Sequence, residues 1–332
     1  MGIAKALVLA TSAPHDAPWP SVRSAPKALV PVANRPLLFH DLDALSAAGV
    51  LETTIAVDPA STGAVRAAVG DGAEWHMAIR YVDCPPGASL GRTLAHCRDH
   101  LGAEPLLVQH AGSLLRERIH PHIAAFAGEG LDALALRLPG ALELDVHDDG
   151  ALEGSLLLSD RAVAILARTR ASADPLRRVR EGGGQVRIQE VDGCLPCLGP
   201  QEALLEANRR MLELLTRSVH DDAVIDSRIQ GPVSIHPTAH VERSLIRGPV
   251  AIGPGARVVD SYVGPSTSIG ADVVVEGAEI EYSIVLPGAR LSFLGTRLEE
   301  SIIGRGAIIR RAFEPPAALR VAIGDGAEVT LS

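Results

Sequence analysis

Aromatic residues, lysine and long apolar runs are all scarce in this sequence. Aromatic residues make up 3% of the 332 residues, so a core has to be built from alanine, leucine, valine and isoleucine. No apolar run reaches the length of about 18 residues that a membrane span requires. The first residues also lack the apolar stretch and cleavage site of a secretion signal. These absences predict a cytoplasmic protein without membrane contact.

An excess of positive charge is also absent, because the formal net charge is −9. A chain of this sign is not expected to cover the phosphate backbone of a nucleic acid, so nucleic acid is not predicted as a partner. Four cysteines in a chain of this length do not indicate a disulfide scaffold. The hydrophobic content of 47% is typical of a soluble globular protein, and the length allows two domains.

Glycine is missing from residues 3 to 48, although the chain contains 32 glycines. The segment KALVLA at residues 5–10 is typical of a buried strand that precedes a phosphate-binding loop. Glycine serves in such loops because it adopts positive φ and lets the backbone approach phosphates. Here Pro14, Pro18 and Pro20 restrict φ and remove N–H donors, and Asp16 adds a negative charge. This stretch is not expected to bind a triphosphate as a glycine-rich loop does.

Residues 1–218 alternate short apolar runs with amphipathic stretches, which predicts an α/β domain. Strand-helix alternation indicates a Rossmann-like, mostly parallel sheet with helices on both faces, and ligands of such sheets bind beyond the carboxyl ends of the strands. The predicted strands are KALVLAT (5–11), TTIAVD (53–58), AIRYVD (78–83), PLLVQH (105–110) and ALALRL (133–138).

Residues 219–332 follow a different pattern, with 17-residue repeats that begin at Ser227, Ser244, Ser261 and Ala278. Apolar residues recur in steps of six, six and five, which is the hexapeptide signature of a left-handed parallel β-helix. The predicted inward-facing residues are Ile229, Ile235, Ile246, Ile252, Val258, Val263 and Ile269. Open coil ends and outward apolar residues predict a homo-oligomer.

Three segments and this β-helix together resemble the sugar nucleotidyltransferases, in particular the long type of glucose-1-phosphate thymidylyltransferase. The segments are KALVLA (5–10), PKALVPVANRPLLF (26–39) and LLEANRRML (204–212). The resemblance covers nearly the whole chain. It implies an enzyme that joins a nucleoside triphosphate to a sugar 1-phosphate with Mg²⁺ and releases pyrophosphate.

The resemblance also implies a ligand cleft, and it assigns seven positions of this chain to that cleft. Lys27 matches the lysine of the family's loop, in a chain whose only other lysine is Lys5, and Gly91 lies in a stretch similar to the family's base-recognition segment. The predicted cleft residues are Leu9, Ala10, Lys27, Gly91, His110, Gly112 and Cys197.

Several residues depart from the family's motifs. Gly112 and Ser113 stand where the family has the Asp and Asn of its LGDN motif, and Cys197 lies at or next to the second metal-binding Asp. Cysteine is a poor ligand for Mg²⁺. A Glu-Lys-Pro motif of the sugar pocket is missing after Gly150. No catalytic residue, metal ligand or cofactor is therefore predicted.

The leading hypothesis is a non-catalytic regulatory or structural homologue that has lost metal-dependent transfer. It would bind a nucleotide or sugar phosphate weakly, and an active paralogue or pathway enzyme would be its partner. The alternative is a divergent, active nucleotidyltransferase that uses Mg²⁺ through carboxylates such as Asp16, Asp83 and Glu202. A third hypothesis is a new metal or redox activity, for which the candidate ligands are Cys84, His110, Cys194 and Cys197.

Overall fold

The computed structural model describes residues 3–11, 26–112, 114–115, 117–137, 154–168, 174–194 and 201–311. These residues form a mixed α/β part followed by stacked parallel sheets of a β-helix, which confirms the predicted fold class. The boundary between residues 218 and 219 stays a prediction. No helix in the described ranges combines the length and the apolar character that crossing a membrane would take.

The strands of the α/β part include all five that the sequence predicts. They are β1 (Lys5–Ala10), β2 (Pro31–Val32), β3 (Arg35–Pro36), β4 (Glu52–Val57), β5 (Ala78–Asp83), β6 (Leu106–His110), β7 (Leu114–Leu115), β8 (Ala133–Arg137), β9 (Gly154–Leu158), β10 (Val186–Glu190) and β11 (Gly193–Cys194).

Seven of these strands form one sheet in the order β10-β8-β9-β6-β1-β4-β5. Strands β5, β4, β1 and β6 run parallel to their neighbours, and β9 is antiparallel to both β6 and β8. Every residue of β9 is buried, because the strand lies in the middle of a sheet that is covered on both faces. The carboxyl ends of β5, β4, β1 and β6 therefore meet at one edge of the sheet.

Helices separate the strands as the apolar spacing predicts. They are α1 (Leu37–Ala47), α2 (Thr62–Val69), α3 (Leu90–His96), α4 (Arg98–Leu101), α5 (His120–Glu129), α6 (Asp160–Ala167), α7 (Pro175–Glu181) and α8 (Gln201–Leu212). Serine side chains cap two of them, since Ser89 accepts a hydrogen bond from Arg92 N at 3.5 Å and Ser159 accepts one from Ala162 N at 3.1 Å. The amphipathic stretch at residues 90–102 forms two helices, because α3 ends before Cys97 and α4 begins after it.

The β-helix is built from fifteen short strands in three parallel sheets. They are β12 (Val224–Ile225), β13 (Arg228–Gln230), β14 (Val233–Ile235), β15 (His240–Glu242), β16 (Leu245–Arg247), β17 (Val250–Ile252), β18 (Arg257–Val259), β19 (Tyr262–Val263), β20 (Thr267–Ile269), β21 (Val274–Glu276), β22 (Glu279–Ile280), β23 (Ile284–Val285), β24 (Arg290–Ser292), β25 (Ile302–Ile303) and β26 (Ile308–Arg310).

The predicted 17-residue period is the spacing between stacked coils. Arg228 pairs with Leu245 and Val233 pairs with Val250, 17 residues apart in both cases. The period then changes, because Ser268 pairs with Ile284 and Ile284 with Ile302, which are steps of 16 and 18 residues. The two irregular steps cancel, so the inward positions stay aligned.

Backbone geometry and a row of serines together explain why one corner of the β-helix repeats. Asp226, Arg243 and Asp260 all have positive φ, and Gly277 follows at the same spacing. After each of the first three, a serine hydroxyl accepts the backbone N–H of the next coil, from Ser227 to Ser244, Ser261 and finally Ala278. The hydroxyls thus satisfy N–H groups that the bend removes from the sheet ladder.

The interior of the β-helix confirms six of the seven predicted inward residues. Ile235, Ile246, Ile252, Val258, Val263 and Ile269 are buried in one apolar cluster. Ile229 was expected to be buried as well, but it is only half-buried, because it lies in the first coil and has a stacked neighbour on one side only. Tyr282, which the repeat does not place among the inward residues, packs partly against the α/β part.

The α/β part covers one face of the β-helix, the sheet of β14, β17, β20, β23 and β25. An apolar cluster joins the two parts, with Val30, Val32, Leu204 and Leu205 on one side and Leu286 on the other. The backbone of Ser218 also pairs with Val233 and Ile235, so the connection enters this face directly. The junction is therefore a continuous core and not a loose linker.

Two asparagine side chains supply the polar contacts inside this junction. Asn34 lies in the two-residue turn between β2 and β3, where Ala33 and Asn34 both have positive φ, and it donates to Ala251 O and Ile269 O at 3.0 and 2.7 Å. Asn208, fully buried in α8, accepts from Ala33 N at 2.8 Å and from the Ser268 hydroxyl. Both belong to segments that resemble family motifs, and both hold the two parts together.

We expect Ile252→Asp to unfold the β-helix, because it places an unpaired carboxylate in a narrow apolar interior. The free energy of unfolding should fall by about 3–5 kcal/mol or more. Ile308→Asp is the control, since Ile308 lies in the same β-helix but is 67% exposed. Thermal unfolding followed by circular dichroism measures both, and equal melting temperatures for the two variants would show that the inward register is wrong.

Asn208→Ala should weaken the junction, because it leaves Ala33 N and the Ser268 hydroxyl without their acceptor. Each buried polar group without a partner costs about 1–3 kcal/mol, so the two groups together should lower the free energy of unfolding by about 2–6 kcal/mol, as measured by urea unfolding. Glu202→Ala on the same helix is the matched control, since Glu202 is exposed. A variant at position 208 that is as stable as this control would contradict the role of the amide.

Candidate functional site

Four of the predicted cleft residues meet at the carboxyl ends of β1 and β6. Leu9 is the register partner of His110, and Ala111 N donates to Leu9 O at 2.9 Å. Ala10 ends β1, and Gly112 follows His110 by two residues. These residues lie at the edge of the parallel sheet where ligands of such folds bind.

Lys27 and Gly91 lie on two elements that pack against the central sheet. Lys27 opens a 3₁₀ helix, Lys27–Leu29, whose Ala28 is buried in the apolar cluster that also contains Ala111. Gly91 lies in the first turn of α3 and follows Leu90, which packs in the same cluster as Leu9. Cys197 lies outside the described residues, as do Ser113 and Asp16. That these residues bind a ligand stays a prediction.

A buried carboxylate below this edge was missed by the sequence reasoning. Asp41, on α1, is 1% exposed. Its Oδ1 accepts a hydrogen bond from Gln109 Nε2 at 2.6 Å, and its Oδ2 accepts one from Gly112 N at 2.7 Å. The signal was present in the sequence, because Asp41 shares the apolar face of the predicted helix with Leu38, Leu42 and Leu45.

Burial dominates the electrostatics of Asp41. Desolvation raises the pKa of its carboxyl well above the usual range, and the hydrogen bonds from Gly112 and Gln109 oppose this shift. Both oxygens are engaged by the end of β6 and the residues after it. Asp41 therefore supports the backbone that carries His110 and Gly112, and it does not face a ligand.

The residues described at this edge do not fit Mg²⁺. Gly112 has no side chain to offer, and its N–H group points to Asp41. Within the described ranges, no group of three histidine, cysteine or acidic side chains could hold a metal ion. Asp83, a conceivable relocated ligand, ends β5 and accepts a hydrogen bond from the Thr62 hydroxyl, and Glu202 is exposed on α8. Magnesium prefers several oxygen ligands around one position, which these residues do not provide.

Cys84 follows β5 at the carboxyl edge of the sheet. Its side chain is fully buried beside Cys97 in an apolar cluster. A hydrogen bond between the two thiols lowers the pKa of Cys84, and the same bond raises the pKa of Cys97. The enclosed pair has no open side toward the cleft. The side chain of Cys194 and all of Cys197 are outside the described part of the chain.

Comparison with curated proteins finds relatives that match over nearly the whole chain. The chain is 34% identical to a glucose-1-phosphate thymidylyltransferase of Streptomyces griseus, over 94% of this chain and 96% of that protein. It is 28% identical to a glucose-1-phosphate thymidylyltransferase of Streptomyces antibioticus, over 94% and 95%. It is 29% identical to the low-salt glycan biosynthesis nucleotidyltransferase Agl11 of Haloferax volcanii, over 94% and 96%.

Comparison with solved structures supports the fold. A crystal structure of a candidate glucose-1-phosphate thymidylyltransferase from Bacillus anthracis, in complex with a sucrose, matches with a TM-score of 0.52 and 16% identity. The match covers 61% of this chain and 95% of that chain. No protein-family model matches the chain.

We expect Asp41→Asn to change how stability depends on pH. Because the pKa of Asp41 is raised in the folded state, its stabilising contribution is complete below the unfolded-state pKa of about 3.9, and it is lost as pH rises through the folded-state pKa. Asparagine has nearly the same shape but does not ionise. The melting temperature of the variant minus that of the wild type should therefore become more positive from about pH 5 to about pH 8.

The control for this experiment is Asp99→Asn, since Asp99 is an exposed acidic residue. Its difference from the wild type should stay constant over the same pH range. A constant difference for the variant at position 41 would mean that its carboxyl does not carry a raised pKa.

Proposed function

The chain belongs to the glucose-1-phosphate thymidylyltransferase family of sugar nucleotidyltransferases, and from this we propose that it keeps the family's cleft but has little metal-dependent nucleotidyl transfer. The cleft would bind a nucleotide or a sugar phosphate weakly. The protein would then act as a regulatory or structural homologue, with an active paralogue or another enzyme of the same pathway as its partner.

The observation that carries this proposal is the environment of Gly112. The resemblance places the metal-binding aspartate of the family at this position. In this chain the backbone N–H of Gly112 donates to Asp41, whose carboxylate is buried and fully engaged. Gly112 has no side-chain oxygen that could bind Mg²⁺, and its backbone N–H is engaged by Asp41.

Other departures in the sequence support the same proposal. The stretch that matches the family's glycine-rich loop contains three prolines, and the Glu-Lys-Pro motif is missing. Loss of one well-placed electrostatic group typically lowers the rate by about 10²- to 10³-fold. Losses in one site are not additive, so the combined effect is smaller than the product.

A second candidate function is active transfer of a nucleotide to a sugar 1-phosphate. The comparisons favour it, because the relatives that match end to end are named as nucleotidyltransferases. This candidate requires carboxylates for the metal from residues outside the family's motif positions. Asp16 lies outside the described residues, and Asp83 would first have to give up its hydrogen bond from Thr62.

Lys27 is the residue of this chain that we assign to phosphate binding. An ammonium group next to backbone N–H donors stabilises phosphate charge, whether or not transfer follows. Lys5, the only other lysine, lies at the opposite end of β1 and pairs with Glu104 at 3.2 Å. The two lysines can therefore be compared directly in a binding experiment.

We expect no pyrophosphate above background when the purified protein is mixed with Mg²⁺, glucose 1-phosphate and either dTTP or UTP. The reason is the missing oxygen ligand at position 112. The Streptomyces griseus relative, assayed in parallel, serves as the positive control. Release of pyrophosphate at about 1 per second, which is within the ordinary range for enzymes, would establish the second candidate function.

Calorimetric titration of dTTP and of glucose 1-phosphate separates binding from catalysis. If the cleft is retained, at least one ligand binds, and Lys27→Met weakens its binding while Lys5→Met does not. Absence of binding by both ligands would contradict the retained cleft, and it would leave only a structural role.

A further inference from the structure

The last described coil of the β-helix has an apolar surface at its open end. Its inward residues include Ile303 and Ile309, which pack on the coil below. Ile309 is only half-buried, and its neighbour Ile308 is 67% exposed. Ile229 is half-buried in the first coil for the same reason, since an end coil has a stacked neighbour on one side only. We use the term open end for the surface formed by β25 and β26.

Backbone N–H groups at the open end point toward the place of a further coil. One coil below, Leu286 N donates to Ile303 O at 2.9 Å, and Arg290 N donates to Ala307 O at 2.8 Å. The positions stacked on Leu286 and Arg290 are Gly304 and Ile308. Their N–H groups therefore have the direction of a ladder that continues. A strand edge of this kind pairs readily with another strand.

The sequence after the open end contains a segment that matches a coil of the described β-helix. Residues 312–332 lie outside the described residues. They include VAIGDGAEV at 321–329, which differs from VAIGPGARV at 250–258 in only two of nine residues. In the earlier copy Ile252 and Val258 are inward and buried, and Gly255 has a φ of +66° at the corner between them. Ile323 and Val329 hold the same two places in the later copy.

The earlier copy also shows which carbonyl groups such a segment offers to the coil below. Ile252 O accepts a hydrogen bond from His236 N at 3.0 Å, and Ala256 O accepts one from His240 N at 2.8 Å. The corresponding carbonyl groups of the later copy belong to Ile323 and Ala327. These two acceptors match the spacing of the two N–H donors at the open end, Gly304 and Ile308.

Both differences between the two copies add negative charge, and the open end is basic. Asp325 replaces Pro254, and Glu328 replaces Arg257. Arg305 occupies the corner of the last described coil and is exposed, so Asp325 would be stacked directly on it. Arg310 is exposed on the outer side of β26, next to the position that Glu328 would cover.

We propose that residues 321–329 form a further coil that closes the open end of the β-helix in the same chain. Ile323 then lies over Ile303, and Val329 lies over Ile309. The step from Ile303 to Ile323 is 20 residues, and the longest paired step in the described coils is 18. The two additional residues fall in the crossing between Ile309 and the new coil. The proposal does not depend on the function of the cleft.

The chain's own segment is a better occupant of the open end than a second copy. A second copy that stacked its first coil on the open end would make a head-to-tail contact, which does not close and gives an open array. The segment at residues 321–329 is covalently joined to the same β-helix, so its effective concentration at the open end is in the millimolar range.

A pair of cysteines in the full-length protein tests the register of the proposed coil. Ile308 and Glu328 would face each other on neighbouring parallel strands, about 4.8 Å apart, which suits a disulfide. Under mild oxidation I308C/E328C should form a disulfide within one chain, which peptide mass spectrometry identifies. The matched control is I308C/T330C, whose positions would be about 8 Å apart, beyond the reach of a disulfide. Each single variant controls for the native cysteines.

Hydrogen exchange tests the closure itself. In the wild type the amides of Gly304 and Ile308 should exchange slowly, because each donates to a carbonyl of the new coil. Ile323→Asp places a carboxylate in the apolar interior of that coil, so exchange at both amides should become faster by about 10-fold or more. Thr330→Asp is the matched control, since Thr330 would point outward beside Arg310. Circular dichroism shows whether the rest of the protein stays folded.

Three results would overturn the proposal. If the two cysteine pairs form disulfides with equal yield, or if neither does, the segment is not seated in this register. A disulfide of I308C/E328C that joins two chains would mean that the segment covers the open end of a second copy. Wild-type amides at Gly304 and Ile308 that exchange as fast as those of the Ile323→Asp variant would show that the end is not closed.

Discussion

The arrangement of the whole molecule depends on two side-chain amides buried between its two parts. Asn34 and Asn208 satisfy backbone groups of the β-helix and of the β2–β3 turn that the junction removes from water. Without these hydrogen bonds, the backbone groups would oppose the packing of the two parts, because burying an unpaired amide costs free energy. The same turn leads into α1, which carries Asp41. The junction therefore also helps to hold Asp41 in place below the candidate site.

Short apolar runs between amphipathic stretches were sufficient to predict the five main strands, and the 17-residue repeat was sufficient to predict the stacking of the coils. The antiparallel direction of β9 was not predictable in this way, because a pattern of apolar residues shows which side chains are buried and does not show the direction of the strand. Ile229 was misjudged for a related reason, since the repeat does not show where the stack begins.

The candidate site was less predictable than the fold. Leu9, His110 and Gly112 could be placed together because the ends of parallel strands meet at one edge. Asp41 was missed because its partners, Gln109 and Gly112, are about seventy residues away in sequence. Cys84 was placed by resemblance to a cleft, but its side chain turns inward to Cys97. Position along a strand is thus readable from a sequence, whereas the direction and partner of one side chain depend on packing.

The coil lengths of the β-helix have an evolutionary consequence. One coil-to-coil step is a residue shorter than the period and the next is a residue longer, so the deletion and the insertion compensate each other within two turns. A β-helix of this kind can therefore lose one residue from one coil if the next coil gains one residue. Alignments of related chains that assume a fixed repeat will misplace every position between the two corners, and an alignment made coil by coil will not.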